Sequence, residues 1–137
     1  PFVIGKAQML QEGTDVTIFA CGHLVWKAVQ ALPILKEMGI NAELINIHTI
    51  KPLDVEAVIA SAKKTGCVVT AEEHQLNGGL FDSISQVLSM NCPTPIEPVA
   101  IFDQYGQSGT PDELMKHYHL DTEDIVEAAK RAIARKK

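Results

Sequence analysis

Four short apolar runs limit this chain's fold more than anything else in it: Val16-Thr17-Ile18-Phe19-Ala20, Ala42 to Ile47, Cys67 to Ala71 and Val99 to Phe102. Between them, apolar residues recur with helical spacing. Runs with so few polar positions suit strands covered on both faces. Helices of roughly ten to sixteen residues between such strands call for right-handed crossovers and parallel neighbours. Lys6 to Leu10 reads as a weaker strand that enters the Glu12-Gly13 turn, a hairpin geometry that places it antiparallel. The expectation is an α/β fold, a three-layer α/β/α sandwich, in one domain over residues 1–137. Its five-stranded sheet is mostly parallel with one short antiparallel strand.

The helical stretches carry their own punctuation. In residues 23–38, Val25, Ala28, Val29 and Leu32 fall on one face, and Gly39 closes the element. Pro33 interrupts that pattern and predicts a kink or break near Leu32. Asp54 is placed to cap the next helix, with Val55, Val58, Ile59 and Ala62 inward and Gly66 as the stop. Leu80, Ile84, Val87 and Leu88 mark a third stripe, ended by Asn91-Cys92-Pro93. Thr110, Pro111 and Glu113 have the spacing of a capping box ahead of a short helix reaching about Tyr118. A last helix starts at Asp121 or Thr122, with Ile125, Ala129, Ala132 and Ile133 facing inward.

Charge and cysteine usage exclude several classes of function. The net charge of −5 gives no basic footprint, so nucleic acid is not an expected partner. Lys130-Arg131 and Arg135-Lys136-Lys137 fall in the last turns of a helix, where cations complement its dipole. Cys21, Cys67 and Cys92 lie far apart without a CxxC pair, which suggests neither disulfides nor zinc and points to a cytoplasmic setting. No stretch is apolar for long enough to span a membrane, and no signal-peptide pattern is present. A first residue of Pro1 suggests a piece of something longer.

In a parallel sheet of this kind, loops leaving the carboxyl ends of the strands share one rim, where ligands usually bind. Cys21-Gly22-His23, His48 to Pro52 and Glu72-Glu73-His74 all land there. The helix following each offers free amides and partial positive charge, so Gly22, His23, Glu73, His74, Gly78 and Gly79 are candidates for a ligand or interface site. No GxGxxG or P-loop pattern supports a phosphate cradle. Cys21 and His23 need not meet as nucleophile and base. Glu72 and Glu73 are consecutive and point to opposite faces of a strand, one serving the fold and the other the loop. His74 lacks a second metal ligand at a diagnostic spacing, so no metal is expected. Asn77-Gly78-Gly79 supplies the backbone angles of a turn. No catalytic residue is assigned.

Taken in order, several motifs resemble the C-terminal domain of transketolase and its thiamine-dependent relatives. They are Asp15-Val16-Thr17-Ile18 ending at Gly22, Asn46-Ile47-His48-Thr49-Ile50-Lys51-Pro52-Leu53-Asp54, and Val69-Thr70-Ala71-Glu72-Glu73-His74 with Gly78-Gly79. Tyr105-Gly106-Gln107-Ser108-Gly109-Thr110-Pro111 is similar to the family's FGxSG-type segment and adds Ser108 to the candidates. His119-Leu120 and Ile125 to Ala129 match its close. Tyr105, where Phe is common, and Pro33 are the departures.

The resemblance is strongest to transketolases split into two chains. It implies a parent enzyme that transfers ketol groups between sugar phosphates in the pentose phosphate pathway, holding thiamine diphosphate and magnesium in other domains. Because this chain has no Gly-Asp-Gly, the resemblance implies that it binds neither. Its expected partners are the parent's pyrimidine- and diphosphate-binding domains, in a homodimer, with a possible regulatory ligand at the rim. The alternatives are the C-terminal domain of a 2-oxoacid dehydrogenase β subunit or of deoxyxylulose-phosphate synthase.

Overall fold

The computed structural model describes residues 5–48, 50, 52–75, 79–101 and 120–136. The expected capping box at Thr110, the helix after it, and two candidate residues, Gly78 and Ser108, lie outside the described residues. The described residues form five strands: β1 (Gln8–Gln11), β2 (Val16–Ala20), β3 (Ala42–Asn46), β4 (Val68–Gln75) and β5 (Ile96–Ile101). Four described helices join or follow them: α1 (Leu24–Glu37), α2 (Val55–Thr65), α3 (Leu80–Asn91) and α4 (Thr122–Ala134). The sheet order is β1-β3-β2-β4-β5. All pairs are parallel except β1 with β3. The expected α/β sandwich with one antiparallel strand is what forms.

The short strand is antiparallel, but its neighbour differs from the hairpin expectation. It skips β2 and lies along the outer edge of β3, pairing Gln8 with Asn46 and Met9 with Ile45. Both sides of β2 are taken by parallel partners, β3 and β4, which leaves β1 only an edge.

Period-two alternation splits the core into two layers. Val16, Ile18, Ala20, Leu44, Val69 and Ala71 face α1 and α4, while Phe19, Ile45 and Val68 face α2 and α3. Each fully buried Val, Leu, Ile or Phe among them contributes about 1.5–3 kcal/mol relative to exposure. All five residues of β2 are buried, as a strand covered on both faces requires.

The helix ends follow the sequence. Asp54 accepts from Ala57 N at the start of α2, and Gly66 closes that helix at φ +81°. Asp121 and Asp124 form a reciprocal capping box on α4. The buried face of α1 is turned from the expected stripe: Leu24, Ala28, Ala31 and Leu35 are inside, while Val29 is exposed. Likewise Val55 of α2 is exposed, and Ser61 and Thr65 are buried in its stripe instead. Pro33 does not break α1. It removes the donor to the Val29 carbonyl, but Pro33 and Val29 both lie on the exposed side, where water can satisfy that carbonyl. No described helix is long and apolar enough to cross a membrane.

Candidate functional site

The two adjacent carboxylates sit where β4 reaches the rim. Because β4 continues through both residues, Glu72 faces the α2/α3 layer and Glu73 the α1 layer. Glu72 is completely buried. Its Oε1 accepts from Leu80 N at 2.8 Å and its Oε2 from Phe81 N at 2.9 Å. The N-cap of α3 is Gly79, which has no side chain to satisfy those amides. A carboxylate from the neighbouring strand does so instead, adding negative charge at the positive end of the helix.

Glu73 does the corresponding work for α1. Its Oε1 accepts from His23 N at 3.3 Å in an exposed setting. The helix N-cap, His23, makes no side-chain cap bond of its own. Gly22 holds φ +63°, and a Cβ there would stand 2.8 Å from Glu73 Oε1. Glycine suits the left-handed backbone here, and a larger residue would also push the Glu73 carboxylate aside. Gly22, His23 and Glu73 thus form one cluster, and Gly79 belongs to the Glu72 cluster. His74 lies in the last part of β4, and its side chain is not described.

This arrangement has a chemical consequence. An anion approaching the N-terminus of α1 or α3 meets a carboxylate already in place. Cys21, beside both, is no nucleophile near neutral pH. Burial first, then the charges of Glu72 and Glu73, push its thiol up to about 12, and only the thiolate is reactive. Among the described residues, no group of three or more His, Cys, Asp or Glu could hold a metal ion.

Two features were not foreseen from the sequence. The first is a buried polar network under α2. Glu43 of β3 accepts from Gly13 N at 3.1 Å and from the Ser61 hydroxyl at 2.5 Å, and it pairs with Lys64. Thr17 Oγ1 lies 2.7 Å from both the Ser61 and Thr65 hydroxyls. The signal available was a lone glutamate inside an apolar run, Ala42-Glu43-Leu44-Ile45. The second is a trough of about 710 Å³ between β1, the ends of β2 and β3, and the first half of α1. Leu10, Val25, Trp26, Val29, Ile47 and Ile50 line much of it.

The fold and rim define a class: an α/β sandwich whose carboxyl-end helices are capped by the protein's own acids. Residues 5–125 match the family described as Transketolase, C-terminal domain, and the chain belongs to that family. It is 45% identical over 135 residues to a 6-deoxy-6-sulfo-D-fructose transketolase subunit of Clostridium sp. (strain MSTE9), covering 98% of this chain and 42% of that protein. It is 43% identical to one of the subunits of an apulose-4-phosphate transketolase from Phocaeicola vulgatus, covering 93% of this chain and 41% of the relative. A 1-deoxy-D-xylulose-5-phosphate synthase of Heliobacterium modesticaldum is 37% identical, with 93% of this chain and 20% of the relative covered.

Among solved structures, a split-gene transketolase in an inactive β4 tetramer superposes with a TM-score of 0.96 at 40% identity, over 99% of this chain and 45% of that one. The chain thus spans less than half the length of these relatives.

Proposed function

We propose that this chain is the non-catalytic C-terminal part of a transketolase, serving to hold the thiamine-binding domains together and to form the dimer. The observation that carries this reading is the state of the rim. Glu72 and Glu73, the acids best placed for chemistry, are committed to capping α3 and α1. A diphosphate approaching either helix start would be repelled by the carboxylate already seated there. Thiamine diphosphate and magnesium belong, on this reading, to the pyrimidine- and diphosphate-binding domains of the parent enzyme, in the cytoplasm. The named relatives act on different sugars, so the donor and acceptor are left to those domains.

The test is ketol transfer with added thiamine diphosphate and magnesium. The 137-residue chain alone should show none, and the parent enzyme should show it. Turnover by the chain alone refutes the proposal.

A second reading places the chain at the end of a 1-deoxy-D-xylulose-5-phosphate synthase, favoured by the 37% identity over nearly its whole length. Formation of 1-deoxy-D-xylulose 5-phosphate by the parent enzyme, in place of ketol transfer, would select it. The higher identity to the two transketolase subunits supports the first reading.

A further inference from the structure

We propose that the trough between β1 and α1 is the seat of the domain that precedes this one in its longer relatives; this rests on the function proposed above. The trough is built unlike the rest of the surface. Although 21% of the chain is charged, the described residues lining it include no Asp, Glu, Lys or Arg. Three of its apolar side chains stand open to water: Trp26 is 71% exposed, Leu10 39% and Val29 37%. Exposed apolar side chains gathered without charge mark a surface meant to be covered. An exposed tryptophan is the residue type most often found to anchor such an interface.

The identity of the occupant follows from the position of β1 and from the length of the relatives. All four residues of β1 are exposed, and among the described residues it pairs with β3 alone, at the end of the sheet. It is the first described element, so a polypeptide entering the domain through Gly5 and Lys6 arrives at the wall of the trough. More than half of the length of the compared relatives lies outside the region this chain matches. The family to which it belongs is by description a C-terminal domain, so that length precedes it. Covalent attachment supplies a high effective concentration, which lets an apolar trough of modest size be occupied stably. A phosphorylated small molecule would find no Lys or Arg in the described lining.

The test is hydroxyl-radical footprinting read by mass spectrometry at Trp26 and Leu10. Met90 of α3, 83% exposed, serves as the reference. The chain alone is compared, at low and high concentration, with the same chain carrying the preceding domain of its enzyme. Oxidation of Trp26 relative to Met90 should fall by roughly threefold or more in the longer polypeptide, as exclusion of water by an interface implies. In the chain alone it should stay high at both concentrations. Equal oxidation of Trp26 in the two polypeptides overturns the proposal. So does protection that appears in the chain alone as its concentration rises, which would make a second copy the occupant. Ketol transfer measured on the same longer polypeptide separates the two readings. Activity with Trp26 open leaves the function standing and removes the docking. Protection without activity does the reverse.

Discussion

Replacing Glu72 by Gln changes one oxygen for an amide group and keeps the volume, so it perturbs the capping bonds without altering the packing. In the native protein the two carboxylate oxygens each accept a backbone N–H of the first turn of α3, at 2.8 and 2.9 Å. Hydrogen bonds to an ionised group are each worth about 1.5–3 kcal/mol. The glutamine retains one acceptor and sets its NH2 group against the other amide. Glu72→Gln should therefore cost about 2–3 kcal/mol, the loss of one such bond plus an amide left without an acceptor. Glu72→Ala loses both bonds and should cost about 3–4 kcal/mol, limited by water reaching the partly buried Phe81 N–H.

The adjacent change, Glu73→Gln, is the internal control. The bond from His23 N to Glu73 is 3.3 Å long and exposed, so this substitution should cost less than about 1 kcal/mol. Urea unfolding followed by circular dichroism measures all three. With a slope of about 2 kcal/mol/M, the Glu72→Gln midpoint should fall by about 1–1.5 M and the Glu73→Gln midpoint by under about 0.5 M. If the two neighbouring isosteric changes cost the same, the division of labour assigned to this pair is wrong.

Two further outcomes are expected. Gly13→Ala should destabilise by about 2–3 kcal/mol through overpacking, because its Cβ would lie 2.4–2.6 Å from the backbone of Asn41 and Ala42; thermal unfolding at an unchanged midpoint would contradict this. Cys21, with its thiol raised from 9.0 to about 12, should resist iodoacetamide in the native state at about pH 8 while the half-buried Cys92 is alkylated. The sign of the linkage follows from the same shift. The unfolded chain gives up the Cys21 proton first, so this group's support of the fold is intact below pH 9.0 and is lost as pH rises toward about 12. Cys21→Ala should flatten that part of the stability profile, and an unaltered slope above pH 9.0 would count against it.

Local chemistry was legible in the sequence wherever it acts within a few residues. Asp54 and Gly66 bound α2 because a cap and a left-handed stop need only their own turn. The runs at Val16–Ala20, 42–45 and 68–71 became buried strand because each has few positions that water could reward. The opposed directions of Glu72 and Glu73 followed from the two-residue period of a strand alone.

What the tertiary structure decided are relations between residues far apart in the chain. No local rule places β1 beside β3 and away from β2; that came from β2 having both edges filled by parallel neighbours. Helical spacing alone does not say which way α1 is rolled, and packing against β2 and α4 turned Val29 and Trp26 outward and Ala31 inward. That roll tolerates Pro33 and opens the trough. The same holds for the acids: the sequence shows two glutamates in a row, but that they cap two different helices depends on the strands bringing Gly22 and Gly79 to their oxygens. Periodicity and caps are short-range and can be read along the chain. Partners across a sheet are chosen by the global minimum of burial and hydrogen bonding, which no single segment contains.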